Sequence, residues 1–192
     1  VGWKPVNSCI QFLPTLDGQA LLTVEDLGGT HPAQQAMVAC HGAQCGFCTP
    51  GIVMSLAACR ERHRDRPPSR AAIADDLSGN LCRCTGYRPI LDAGERMFQA
   101  PAPALGDAAT AGLLHQLRAD LPLRLDVPVP FHAPRTLADL AALCAAKPQA
   151  TLLAGSTDIG LWVNKQFRDL GEVIFLGKVE ALQAITVADG VL

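Results

Sequence analysis

The sequence predicts a multi-domain α+β chain. A four-helix bundle is flanked by the tail of a small β domain before it and by the start of an α/β domain after it. Three observations carry that prediction. Two close cysteine pairs, Cys45-Gly46-Phe47-Cys48 and Cys82-Arg83-Cys84, each precede a proline-led helical segment, so one plan is repeated: helix, cysteine pair, helix. The run over 100–112 is rich in Ala, Pro and Gly and reads as a linker. From residue 131 the texture changes to short apolar runs alternating with helical periodicity.

Taken in order, residues 1–27 carry the turn signal Asp17-Gly18 and the alternating stretch Leu21-Leu22-Thr23-Val24-Glu25, which predicts the last strands of a β domain before Gly28-Gly29. Residues 28–99 read as helical. Pro32 suits a first helical position, and Ala33, Ala36, Met37 and Cys40 follow at helical spacing. Thr49 is expected to cap the next helix ahead of Pro50, with Ile52, Val53, Leu56 and Cys59 on its apolar face. Pro67-Pro68-Ser69 ends that helix and caps a third, with Ile73 and Leu77 inward and Gly79-Asn80 as the stop. Tyr87-Arg88-Pro89 opens a fourth helix through Ile90, Leu91, Gly94, Met97 and Phe98. Residues 100–130 are expected to be a linker with one amphipathic piece, Leu113 to Leu121. In 131–192, Thr136 caps a helix to about Ala146, Thr151 to Ala154 reads as a buried strand, and Gly155-Ser156-Thr157-Asp158 is a polar turn leading into Ile159 to Val163. Val173 to Leu176 is another strand, and Ile185 to Gly190 begins a hairpin.

The totals narrow the function. Of 192 residues, 49% are apolar, enough for a real core. A formal charge of −2 leaves no basic stripe for nucleic acid and no polybasic patch for a membrane surface, and no apolar run is long enough to span a bilayer. The chain opens at Val1 in what reads as the middle of a domain, so it is expected to be a piece of a longer protein.

Eight cysteines demand an account. A secreted disulfide scaffold is one use of them. A chain this long needs no such staples, and a single residue between Cys82 and Cys84 is awkward for two independent bridges. Clustered thiols fit a reducing compartment, the cytoplasm, and a metal. Thiolates are favoured at helix N-termini, where free N–H groups and the positive dipole end face the anion, and Pro50 and Pro89 place two helix starts directly after the two pairs. Cys45, Cys48, Cys82 and Cys84 are therefore candidate ligands of an iron–sulfur cluster. Tetrahedral zinc in a structural module is the rival, because four cysteines suit it equally. The one-residue spacing of the second pair is less typical of zinc ribbons. Cys40, Cys59 and Cys144 read as small core residues, and the five histidines are assigned nothing.

Gln44-Cys45-Gly46-Phe47-Cys48-Thr49-Pro50-Gly51, followed by Leu77-Ser78-Gly79-Asn80-Leu81-Cys82-Arg83-Cys84-Thr85-Gly86-Tyr87, resembles the helical [2Fe-2S] domain of the molybdenum hydroxylases. Val6-Asn7-Ser8-Cys9 resembles the end of the plant-type ferredoxin domain that precedes it in that family, and Leu152-Leu153-Ala154-Gly155-Ser156-Thr157-Asp158-Ile159 resembles the family's FAD pyrophosphate loop. The resemblance implies four regions: 1–27 from a ferredoxin-like domain, 28–99 as the helical [2Fe-2S] domain, 100–130 as linker, and 131–192 as the start of an FAD-binding domain.

The same resemblance implies site residues. Cys9 would be one ligand of a second cluster whose other three ligands are absent from this sequence. Gln44 would hydrogen-bond the edge of a molybdenum–pterin group. The domain order is similar to that of a xanthine dehydrogenase small subunit, with the molybdenum centre on a partner. That order implies hydroxylation of a purine on the partner and relay of electrons through the [2Fe-2S] clusters to FAD and NAD+. Another molybdenum hydroxylase, acting on aldehydes or heterocycles, fits the same residues. The chain is not expected to turn over substrate alone.

Overall fold

The computed structural model describes residues 3–106, 108–117, 122–126 and 129–185. The chain folds as two compact units, Val1–Pro5 with Leu21–Gly112, and Val6–Ala20 with Leu113–Leu192. Seven α-helices and one small sheet make a mixed α/β architecture among the described residues.

The first unit is built on α1 (Pro32–Ala39), α2 (Thr49–Arg62), α3 (Arg70–Asp76) and α4 (Arg88–Arg96), the last extended by a 3-10 turn at Met97–Gln99. The apolar positions named from periodicity meet in one core: Ala33, Ala36 and Met37 of α1, Ile52, Val53 and Leu56 of α2, Ile73 of α3, Ile90 of α4 and then Met97. Gly94 is the point of closest approach. A Cβ there would lie 2.7 Å from Ile73 Cγ2 and 3.3 Å from Leu56 Cδ2, so only glycine lets α4 sit this near α2 and α3. Outside the core, Arg70 joins the start of α3 to Asp92 at 2.8 Å and to Glu95 on α4.

Caps decide where these helices begin. Ser69 Oγ accepts from Ala72 N–H at 3.2 Å, as expected. The start of α1 uses a less common residue. His31 is buried, its Nδ1 accepts from Ala33 N–H at 3.1 Å, and its own N–H donates to Gln34 Oε1 at 3.3 Å. This cap works only with a neutral ring. Burial, then the nearby Arg60 charge, lower the His31 pKa, while Glu61 opposes them.

The sign follows from proton counts. Below about pH 6.5 the unfolded chain binds a proton that the folded chain resists, so the cap's contribution is full above that pH and fades as pH falls beneath it. Replacing His31 with alanine is expected to cost about 1 kcal/mol in denaturant unfolding at pH 7.5. The variant should also lose this acid-side decline, and an unchanged pH profile would contradict the cap.

Three expectations differ from the structure. Residues 21–25 form no strand: Val24–Leu27 is a 3-10 turn, with Thr23 N–H donating to Asp26 Oδ2 at 2.6 Å. The alternation is short, and among the described residues these backbone groups have no ladder partner. Leu27 packs into the helical core, so the break expected after residue 27 does not separate it from the helices. The linker is also shorter than 100–130. α5 (Ala108–Leu117) starts inside it, because Ala and Leu are strong helix formers once Pro101 and Pro103 are passed.

In the second unit β1 (Leu123–Leu125) pairs antiparallel with β2 (Phe131–Ala133), which runs parallel to β4 (Val173–Phe175), which in turn runs parallel to β3 (Thr151–Leu153). β1 also falls within the expected linker. The strand order is β1-β2-β4-β3, with α6 (Leu137–Ala146) crossing from β2 to β3 and α7 (Ile159–Gln166) from β3 to β4. Thr136 caps α6 through Asp139 N–H at 3.1 Å. Phe131, Leu153, Val173 and Phe175 form the core. β3 is only partly buried, with Leu152 facing outward. Residues 6–20 carry 3-10 turns and pack against α7, where a Cβ on Gly160 would sit 2.7 Å from Ile10 Cβ. The hairpin expected at 185–190 and the end of the helix expected at 113–121 involve residues 186–190 and 118–121, which lie outside the described residues.

Candidate metal centre

Both cysteine pairs sit where chain reversals meet helix starts. α1 is stopped by a Schellman motif: Gly42 N–H donates to Met37 O at 2.8 Å and His41 N–H to Val38 O at 3.1 Å, with His41 left-handed at φ +55°. The chain then turns through exposed Gln44 and Cys45, and Gly46 at φ +84° bends it into α2. Cys48 is the N-cap residue of α2, one position earlier than the Thr49 expected from sequence. Thr49 occupies the first helical position, and its hydroxyl is buried with no hydrogen-bond partner.

The second pair is tied to the first by side chains. Ser55 Oγ on α2 donates to Asn80 Oδ1 at 2.7 Å, which anchors the approach to Cys82. Cys82 N–H donates to the Tyr87 hydroxyl at 2.8 Å, and the Thr85 hydroxyl lies 3.2 Å from Cys82 Sγ. Gly86 and Tyr87 take positive φ, +67° and +66°, and lead into α4.

The result brings Cys45 Sγ within 3.4 Å of Cys84 Sγ, with Cys48 and Cys82 close enough to act on each other's ionisation. The Thr85 hydroxyl and then its backbone N–H bring the Cys82 thiol down to about 7. The Phe47 backbone N–H, then the Cys84 thiol, lower Cys45. Burial, then Cys82, push Cys48 up to about 11, and Cys45 raises Cys84. Each pair thus offers one thiol inclined to ionise, and an incoming metal must displace the other protons.

The spread of the sulfurs bears on which group fits. One metal held tetrahedrally by four thiolates needs all four sulfurs within about 3.8 Å of one another, from Zn–S bonds of about 2.3 Å. Among the described residues, the one His/Cys/Asp/Glu group whose ligand atoms all lie within 4.8 Å of each other is Cys59, His63 and Asp76, not the cysteine pairs. Two pairs of sulfurs at two helix starts suit a binuclear group with two ligands on each metal. Exposed apolar residues flank both pairs, Phe47 at 95% and Leu81 at 84% exposure.

The other expected site residues lie elsewhere. Cys9 is exposed, in a 3-10 turn of the second unit, where its carbonyl accepts from the Asn164 side-chain amide. The loop from β3 to α7 leaves Ala154, Gly155, Thr157 and Asp158 exposed, Ser156 buried at φ +64°, and Ile159 half-buried. A Cβ on Gly155 would meet nothing within 4 Å, so a ligand could approach this backbone closely. Asp158 is the N-cap residue of α7. Sequence reasoning passed over the roles of His31, Thr85, Tyr87 and Asn80. Of these, His31 directly before the helical Pro32 carries a signal in the sequence.

Residues 23–95 match the family model of the [2Fe-2S] binding domain. Residues 125–192 match that of the FAD binding domain in molybdopterin dehydrogenase. A xanthine dehydrogenase of Blastobotrys adeninivorans is 53% identical over 94 residues, 47% of this chain and 7% of the relative. Aldehyde oxidase 1 of Rattus norvegicus is 52% identical over 100 residues, 50% of this chain and 7% of the relative. Among solved structures, the aldehyde oxidoreductase from Desulfovibrio gigas is 33% identical, with a TM-score of 0.37, over 52% of this chain and 11% of that one. The chain thus spans a small part of the length of the relatives it matches.

Proposed function

We propose, from the premise that this chain carries the [2Fe-2S] binding domain and the FAD binding domain of the molybdenum hydroxylases, that it is the electron-transfer portion of such an enzyme. The convergence of Cys45, Cys48, Cys82 and Cys84 inside the matched residues carries this reading. A bound [2Fe-2S] cluster supplies one-electron carriage. The chain's own part is to hold it: four thiolates as ligands, the backbone N–H groups of Phe47 and Thr85 facing the Cys45 and Cys82 sulfurs, and Tyr87 and Asn80 fixing the second pair.

The exposed Phe47 and Leu81 suit a docked molybdenum-bearing partner, and Gln44 beside them offers an amide donor and acceptor to a pterin edge. In the second unit, the loop Leu152–Ile159 is assigned to the FAD pyrophosphate, with Gly155 and Ser156 giving the backbone approach. Cys9 is assigned as one ligand of a second cluster completed by residues outside this sequence. In the whole enzyme, electrons leaving the molybdenum partner pass through this portion to FAD and NAD+, in the cytoplasm. Xanthine dehydrogenase and aldehyde oxidase relatives match almost equally, so two readings of the substrate stand side by side: a purine, or an aldehyde or heterocycle. The partner's pocket decides between them.

The test is a reductive titration of the full chain after anaerobic reconstitution with iron and sulfide. Uptake of about one electron per cluster, bleaching of the visible bands and a paramagnetic signal from the reduced state are expected. A colourless protein that takes up no electrons would contradict the reading.

A further inference from the structure

At the far end of α2 a second group of ligand-bearing side chains converges. Cys59 and His63 stand four residues apart on the last turn, which puts them on one face, and Asp76 ends α3 beside them. One ligand atom from each lies within 4.8 Å of the other two. Along the helix axis, Cys59 is about 16 Å from Cys48, so this group is separate from the cysteine pairs. We propose that Cys59, His63 and Asp76 form a site for a single zinc-class divalent cation.

The wiring of Asp76 supports this assignment. Arg62 holds Oδ1, which leaves Oδ2 turned toward the other two residues. That oxygen is buried with no hydrogen bond of good geometry; His63 Nε2 is 3.4 Å from it, and the Asp76 carboxylate is close enough to the Cys59 thiol to push its pKa up. A buried carboxylate oxygen served only by a thiol and a ring nitrogen at 3.4 Å is weakly satisfied, and a cation held by the same three side chains satisfies it better. Cys59 is 1% exposed, while His63 keeps one side open to solvent, giving the metal an entry path and room for a bound water.

The donor set selects the metal class. Thiolate, imidazole and carboxylate together suit zinc and its borderline neighbours, whereas magnesium and calcium take oxygen ligands. Binding releases the Cys59 proton to solvent as the metal–sulfur bond forms. One thiolate and one carboxylate then bring two negative charges to the dication, while the solvent-exposed Arg62 holds the outer carboxylate oxygen. The carboxyl end of α2 adds negative potential at the same spot, and it favours a cation. The bound metal would lock the end of α2 to the end of α3. Cys59 and His63 are four residues apart in sequence, but Asp76 comes from another helix, so the group forms only in the fold.

The experiment takes the full chain with its cysteine pairs loaded with iron and sulfide, equilibrates it with zinc, removes free metal and measures zinc, iron and the zinc-edge X-ray absorption. About one zinc per chain is expected at unchanged iron, in a shell of one sulfur at about 2.3 Å with nitrogen and oxygen at about 2.0 Å. Cys59→Ala and Asp76→Asn should each abolish that zinc while retaining the iron, which shows that the fold survives. Wild-type protein that binds no zinc would overturn the proposal. So would zinc in a four-sulfur shell, or equal zinc in wild type and both variants.

Discussion

Cys82→Ser is expected to reduce the iron bound after reconstitution from about two atoms per chain to nearly none. Cys82 is the thiol that its surroundings prepare most fully. It is buried, the Thr85 hydroxyl sits 3.2 Å from its sulfur, and its N–H is held by the Tyr87 hydroxyl. Serine keeps the shape but offers a hydroxyl that does not ionise near neutral pH, so a soft ligand is lost. Metal binding is coupled to folding, and a group held by four thiolates would cross-link the two loops. The first unit should therefore melt at lower temperature as well. Cys45→Ser, Cys48→Ser and Cys84→Ser should behave alike, whereas Cys9→Ser, Cys40→Ser and Cys144→Ser should retain full iron. Loss of iron in the second set, or its retention in the first, would break the ligand assignment.

Leu56→Ala is expected to destabilise the helical unit by about 3 kcal/mol, measured by denaturant unfolding. Leu56 is fully buried at the centre of the core, with its Cδ2 against the backbone of α4 at Gly94. The neighbours that would have to move inward, Ile73 and Ile90, are themselves fully buried on separate helices. A cavity left there relaxes little, which keeps the cost well inside the usual range of about 2–5 kcal/mol. The same helix carries Cys48 at its start and Cys59 near its end, so loosening α2 should weaken metal retention at both. A loss below about 1 kcal/mol would mean that the core collapses around the gap and that α2 is not a rigid element.

The candidate site was legible because its signals are local. Two close cysteine pairs, each ahead of a proline-led helix, can be read without tertiary information, and the apolar positions Ile52, Val53, Leu56, Ile73 and Ile90 all lie in the core where periodicity puts them. What failed depends on partners elsewhere in the chain. Leu21 to Glu25 alternates like a strand, yet without a neighbouring ladder the segment closes on itself through Asp26. Thr49 looks like a cap, but the helix starts one residue earlier, with Cys48 as its N-cap, and the Thr49 hydroxyl has no partner. The segment 108–117 sits in a proline-rich stretch whose prolines end before the helix begins. His31 as a cap and Asp76 as the third member of its group each required knowing which helix lies alongside.

The most direct test of the four-thiolate assignment is an iron, sulfide and zinc analysis of the anaerobically reconstituted full chain, paired with its visible spectrum. About two irons and two sulfides per chain, with broad visible bands, is the predicted result. A colourless protein without iron, holding zinc in a four-sulfur shell at the cysteine pairs, would contradict it and make the helical unit a structural zinc module.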